Sequence, residues 1–283
     1  MENLHSKITK TFVTVIDKNY TYVFVSPSYV TEKGYKTEEI IGSSLKDNWS
    51  EKTFKTKIKP NIDAAFKGVP QEFKGWFDFS TINKKYYRVR YIPLLNKLGE
   101  VERVLIVTTD LTHSKEIQSS LYDELYKDFL TGCYNKKTFE EDIEEIISKE
   151  DPFQVVYLDL DNFKKVNDTF GHDSGDFVLK NIVDLIRKHI RSRDRFYRIG
   201  GDEFALIIAN SLNPDILKRR MQDILDHLKE APFNKGYKVG ISIGVVDVSK
   251  KLNVSSQKIK DTADKLLYNS KKQGKNRYTY KKI

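Results

Sequence analysis

Residues 198–208 read Arg-Ile-Gly-Gly-Asp-Glu-Phe-Ala-Leu-Ile-Ile, preceded by the apolar beat of Arg195-Phe196-Tyr197. Two strand-like runs, 195–199 and 203–208, are thus separated by two glycines and an acid. Glycine permits backbone conformations and close approaches that a Cβ would block, so Gly200-Gly201 predicts a tight hairpin turn against a bulky ligand. Asp202 and Glu203 then project near that turn. Seen alone, an acid pair in a hairpin is more often a solvated turn, so its meaning depends on what faces it.

A second stretch supplies a partner. Gln154-Val155-Val156-Tyr157-Leu158 is a buried-strand pattern that runs into Asp159-Leu160-Asp161-Asn162-Phe163-Lys164-Lys165. A carboxylate at a strand end can face a ligand while the apolar residues behind it fix its position. Asp159 is therefore a metal-ligand candidate. If the two strands are neighbours, Asp159 and Asp202 converge, and oxygen ligands of this kind favour Mg²⁺ completed by water and substrate phosphates.

Working outward, the pattern predicts helices over 137–149, 175–190, 214–230 and 256–273 and a further strand over 237–246. Alternating elements with an adjacent hairpin imply an α/β or α+β sandwich around a mixed sheet. The first 110 residues differ. Five alternating, β-branched and aromatic runs (12–16, 20–25, 72–79, 85–92 and 101–108) are parted by turn signals at Asp17-Lys18-Asn19, Ile82-Asn83-Lys84-Lys85 and Asn96-Lys97-Leu98-Gly99. Helical candidates, from Pro27 to about Gly34 and over 37–67, sit after the second strand. This is a small antiparallel sheet with inserted helices. Between the halves, Ile117, Leu121 and Leu125 mark one face of a helix starting at Thr112. That stripe reads as a two-chain coiled coil or as a helix packed on its own domain.

At 283 residues two domains are expected. No run approaches the ~20 apolar residues of a membrane span, and the start lacks a signal-peptide core, so a cytoplasmic chain is expected. The single cysteine, Cys133, excludes an internal disulfide and a multi-cysteine zinc site. The net charge of +9 suits a polyanionic partner, but a lysine-rich composition explains it equally. No basic arm gathers the charge, and no nucleic-acid partner is expected.

The order of elements in the first half, with Asp17 to Gly42 and the closing Asp110-Leu111-Thr112, resembles a PAS sensor domain over about 8–112. A flavin-adduct photosensor would need a cysteine there and a haem PAS a histidine in the central helices. Neither residue is so placed, so neither cofactor is expected, and a small-molecule PAS ligand is one open reading. Trp76, Tyr86, Arg88, Arg90 and Tyr91 either line a pocket for a small anion or metabolite, or simply alternate between core and solvent faces.

In the second half the blocks 128–135, 159–168, 171–176, 198–204, Ser242-Ile243-Gly244 and Ala263-Asp264 through Lys271 to Gly274-Lys275-Asn276 occur in an order that resembles the GGDEF family of diguanylate cyclases over about 125–281. The expected organisation is a PAS domain over 1–111, a signalling linker helix over 112–127 and a palm-like GGDEF domain over 128–283. The resemblance implies condensation of two GTP into cyclic di-GMP and two pyrophosphates by a homodimer. It implies Mg²⁺ (or Mn²⁺) held by Asp159, the Leu160 carbonyl, Asp202 and Glu203, with Asp202, Glu203 and Lys164 as catalytic groups. Asn162, Phe163 and Lys164 would cradle phosphates through backbone N–H groups, with Lys271 and Lys275 reaching the same phosphates. Lys275 stands where arginine is more common, implying a single point contact in place of a fork. Asn167, His172 and Asp176 would serve the nucleotide, Asn167 and Asp176 reading guanine. Relatives making mixed cyclic GMP-AMP carry a smaller polar residue at 176, so Asp176 implies GTP preference. Arg191 and Asp194 match the family's Arg-x-x-Asp inhibitory product site, with Arg219 or Arg220 either a further arginine there or a solvated helix face. Two alternatives remain open: a catalytically silent cyclic di-GMP-binding module, and a cyclase with a mixed product.

Overall fold

The computed structural model describes residues 10–77, 84–210, 213–248 and 254–283, and the chain divides into two compact units after Ser120. The expected turn at 82–85 and the far end of the strand over 72–79 fall largely outside the described residues.

In the first unit β1 (Thr11–Ile16) and β2 (Tyr22–Val25) precede α1 (Pro27–Lys33) and α2 (Thr37–Ile40). A 3₁₀ turn, Leu45–Asn48, then leads to α3 (Glu51–Thr53), which continues through a wide turn into α4 (Lys59–Phe66). β3 (Gln71–Phe77), β4 (Lys85–Leu95) and β5 (Val101–Asp110) complete an antiparallel sheet in the order β2-β1-β5-β4-β3. The period-two alternation of each strand turns one face to the helices, and Phe12, Ile16, Tyr22, Tyr87, Tyr91 and Val104 close against Tyr29, Ile58 and Ile62. The same alternation separates the residues considered for a ligand pocket. Tyr91 faces the core, whereas Trp76 is half exposed and packs edge-on against Tyr86, and Arg90 is exposed. The interior cavity takes only Tyr91 from that set, together with Tyr22, Tyr29, Trp49, Tyr87 and Thr108, while Trp76 lines a separate pocket with Asp47, Trp49 and Lys57.

α5 (Thr112–Tyr126) follows without one buried residue. Ile117, Leu121 and Leu125 are 45%, 52% and 54% exposed, so the stripe is not packed on its own unit. Among the described residues no helix is long and apolar enough to cross a membrane.

The second unit comprises α6 (Lys136–Ser148), β6 (Phe153–Asp161), α7 (Phe163–Phe170), α8 (His172–Arg187), β7 (Arg195–Arg198), β8 (Glu203–Ala209), α9 (Pro214–Glu230), α10 (Asn234–Tyr237), β9 (Gly240–Val248), α11 (Ser256–Lys272) and β10 (Arg277–Lys282). The sheet order is β10-β9-β6-β8-β7, with β10 parallel to β9 and the other pairs antiparallel. β6 lies in the middle and every residue of it is buried. Its alternate side chains feed two cores. Val156, Leu158 and Leu160 meet α8 and α9, while Val155 and Tyr157 meet α6 and α11. The result is helices on both faces of a mixed sheet.

Three elements differ from expectation. The segment after Asn162 is a helix and not only a turn, β9 begins three residues later behind the short α10, and β10 is an additional edge strand. Gly244 explains one tight contact: a Cβ there would lie 2.4 Å from the Ala263 carbonyl oxygen, so α11 seats directly on β9.

Candidate active site

Pairing β6 with β8 sets Asp159 opposite Glu203, and the Leu160 N–H donates to the Asp202 carbonyl at 3.2 Å. The expected neighbourhood of the strand end and the Gly-Gly turn is therefore present. Because N–H and C=O of one residue in an antiparallel strand point to the same side, the Leu160 carbonyl also faces that turn. Neither Gly200 nor Gly201 adopts a left-handed φ. The need at Gly200 is space: a Cβ would lie 2.5 Å from Glu203 Oε2, so the glycine lets the acid fold back over the turn.

Arg198 holds the turn from below. Its Nε and Nη2 donate to the Gly201 carbonyl at 3.1 and 2.7 Å, and its Nη1 donates to Asp128 Oδ1 at 3.0 Å. Asp128 in turn accepts from the Thr131 N–H and hydroxyl at 2.9 and 2.6 Å. Burial alone would raise the Asp128 pKa, but Thr131 and Arg198 bring it below its ordinary value. Two motif blocks distant in sequence thus form one brace. Asp128 and Arg198 had been read only as members of those blocks. Their signal was a lone acid and a lone arginine flanking turn residues.

Asp159 is buried, and Lys271 Nζ sits 2.7 Å from its Oδ2. Burial raises the Asp159 pKa, Lys271 lowers it, and Asp202 and Glu203 raise it again, for a net upward shift. Among the described residues no three His, Cys, Asp or Glu side chains gather at metal-ligand spacing. The donor set nevertheless fits a hard divalent cation. It offers a buried carboxylate, two acidic neighbours and a facing carbonyl, and a cation, the Lys271 ammonium, is already drawn onto it. Lys271, expected on phosphates, is thus an Asp159 partner in this state.

β6 ends at Asn162 in the left-handed region (φ 65°), and α7 starts from it with no side-chain cap. The bonds to the Asn162 carbonyl begin with Lys165, so the N–H groups of Phe163 and Lys164 precede the first intrahelical bond. Lys275 Nζ donates to Asn162 Oδ1 at 3.0 Å, which brings the second expected phosphate lysine to the same turn. Lys164 itself is exposed. Asp161, not singled out from sequence, is buried and accepts from Ser242 Oγ at 2.8 Å and the Asn276 N–H at 2.9 Å, pinning the 274–276 turn to the sheet. On the other flank, Asn167 of α7 presses Gly175 of α8, where a Cβ would lie 1.9 Å from Asn167 Oδ1. Asp176 is the next residue and, like Asn167, half-buried, whereas His172 opens α8 and is exposed.

Arg191 and Asp194 lie in the turn between α8 and β7. Asp194 Oδ2 accepts from the Arg191 backbone N–H at 2.8 Å and from Arg220 Nη1 at 3.1 Å, while Oδ1 is buried without a hydrogen-bond partner. Of the two helix arginines considered, Arg220 is the one brought to Asp194.

Residues 125–277 match the family described as diguanylate cyclase, GGDEF domain, and residues 9–116 match the PAS fold. The first match covers more than half of the sequence, and the chain belongs to the GGDEF family. It is 32% identical over 186 residues to diguanylate cyclase DgcS of Shewanella oneidensis, covering 64% of this chain and 60% of that protein. It is 31% identical over 185 residues to cyclic di-GMP phosphodiesterase PdeB of the same organism, covering 65% of this chain but 22% of that protein. The chain therefore spans less than two thirds of either relative. Among solved structures it resembles the GGDEF domain of DgcB from Caulobacter crescentus in complex with c-di-GMP, with a TM-score of 0.50 and 26% identity over 54% of this chain and 94% of that one.

Proposed function

We propose that the protein is a diguanylate cyclase that joins two GTP molecules into cyclic di-GMP, residues 1–111 acting as its PAS sensor, 112–127 as its signalling helix and 128–283 as its catalytic domain. The observation that carries this reading is the pairing of Asp159 with Glu203 beside the uncapped start of α7. That pairing sets acids and phosphate donors side by side. Each domain holds one nucleotide, so a homodimer is required to bring two together. The 3′-oxygen of each ribose bonds to the α-phosphorus of the other GTP, the bond from that phosphorus to the α–β bridging oxygen breaks, and pyrophosphate departs. Asp202 accepts the 3′-hydroxyl proton. The N–H groups of Phe163 and Lys164 hold the terminal phosphates with Lys275, and the Lys164 ammonium offsets developing charge. Asp159, Asp202, Glu203 and the Leu160 carbonyl would hold Mg²⁺ or Mn²⁺, which would supply charge neutralisation to the phosphates when bound. Lys271, paired with Asp159, would be the further cation for the phosphates. Asn167 and Asp176 read guanine, and an equal incorporation of ATP and GTP would instead favour a mixed cyclic GMP-AMP product.

Product returns to Arg191 and Asp194, with Arg220 as third member. Asp194 Oδ1 is buried and unpartnered, and it accepts from the guanine N1–H and amino group once the 191–194 turn opens to the product. A second reading is a silent cyclic di-GMP-binding module, favoured by the match to a stretch of a phosphodiesterase. Incubation with GTP and Mg²⁺ separates them: cyclic di-GMP and two pyrophosphates are expected, absent in Asp202→Asn. Product binding with no turnover in the wild type would replace the first reading by the second.

A further inference from the structure

Beyond the phosphate turn the sheet end opens into a cleft of about 450 Å³, a size typical of small-molecule sites. Its rim carries three lysines from three places: Lys229 at the end of α9, Lys238 just after α10 and Lys275 in the turn before β10. All three are exposed, and none of them makes an ion pair among the described residues. Two further polar groups of the lining are already committed. The Asp161 carboxylate is tied inward to Ser242 and Asn276, and the Asn234 amide is spent on Leu228 and Val239. The three ammonium groups outnumber the one carboxylate of the lining, Asp161, and a polyanion in the cleft offsets that excess. Lys275 connects the cleft to the α7 turn through its bond to Asn162.

We propose that this cleft is a binding site for inorganic pyrophosphate, a reading that rests on the proposed cyclase reaction, in which pyrophosphate is the leaving group. Lysine suits such an occupant because an ammonium is a compact charge with no fixed fork, able to follow an anion that turns as it leaves. Lys229 and Lys238 take the pyrophosphate from the side away from Asp159, with Lys275 contacting it both before and after cleavage.

Titration calorimetry of the whole chain with inorganic pyrophosphate at low salt tests this. The Lys229→Ala/Lys238→Ala double variant should weaken pyrophosphate binding by roughly tenfold or more, and Lys180→Ala, an exposed α8 lysine, should leave it unchanged. Orthophosphate should bind more weakly than pyrophosphate and lose less in the double variant. Equal pyrophosphate affinity in the wild type and the double variant, or no binding by either, overturns the site. An orthophosphate loss as large as the pyrophosphate loss overturns the assignment to pyrophosphate. Cyclase turnover measured in parallel keeps the two readings apart. Lysine-dependent binding without turnover upholds the cleft and removes the cyclase, and turnover with lysine-independent binding does the reverse.

Discussion

Lys271 Nζ lies 2.7 Å from Asp159 Oδ2, so a cation from the last long helix rests on the acid at the end of the central strand. The pair does not cancel the strain of the site, because burial and the acids at 202 and 203 leave the Asp159 pKa raised. A carboxylate with a raised folded pKa opposes folding at any pH where it is ionised. The penalty is therefore present at neutral pH, is relieved as pH falls through the raised value, and is gone below about 4, the unfolded value.

Asp159→Asn removes that charge and should raise the unfolding midpoint at pH 7 by about 2–4 °C, with the gain shrinking as pH is lowered toward 4, while turnover of GTP is lost. Scanning fluorimetry across pH reads the first effect. A lowered midpoint at pH 7 would mean that the Lys271 pairing outweighs burial.

The glycines separate two kinds of close approach. Gly200→Ala meets the far end of a flexible Glu203 side chain, so it should cost less than about 1 kcal/mol of stability yet reduce turnover by displacing Glu203. Gly244→Ala meets backbone atoms of Ala263 and Leu267 and should cost about 1–3 kcal/mol. Urea unfolding with parallel activity assays distinguishes them, and equal stability losses would contradict the geometry.

Much of this arrangement was legible beforehand because it is written in short-range patterns. The continuous apolar run before Asp159 could only be a buried strand, and the beat around Gly200-Gly201 could only be a hairpin. α7 was less legible. It is eight residues long and starts from a left-handed Asn162 without a capping side chain, so the spacing of Phe163, Val166 and Phe170 spans too short a run to announce a helix. β10 reads Arg-Tyr-Thr-Tyr-Lys-Lys at a sheet edge, with only 278–280 half-buried, and its parallel partner lies beyond an intervening helix. The pairings of Lys271 with Asp159 and of Arg220 with Asp194 depend on where helices land on the sheet, which no local pattern encodes.

At the turn proposed to bind product the two arginines should behave differently. Arg191 contacts Asp194 through its backbone N–H, which Arg191→Ala keeps, so the variant should lose product inhibition with an unchanged initial rate and unfolding midpoint. Arg220→Ala strips the side-chain partner from a carboxylate whose own exposure is nil and should cost about 3–5 kcal/mol as well as inhibition. Initial rates against added cyclic di-GMP, with melting curves, read both. Inhibition of Arg191→Ala as strong as the wild type would remove Arg191 from the site.

The exposed stripe on α5 bears on assembly. Its last turn is tied down within the second unit, since Asn135 Nδ2 donates to the Leu125 carbonyl at 2.9 Å and Thr138 Oγ1 to that of Tyr126 at 3.0 Å. The Ile117, Leu121 and Leu125 side chains remain uncovered, and burying each against a second copy would contribute about 1.5–3 kcal/mol. In a parallel pair, Leu121→Glu would set two carboxylates facing each other at the seam while leaving the Asn135 and Thr138 anchors intact. The variant should therefore elute as a 33.0 kDa monomer by light scattering, and the wild type at twice that mass. Its specific activity should rise with protein concentration as collision replaces stable pairing. A dimer that survives Leu121→Glu with full activity would place the contact between copies elsewhere than on α5.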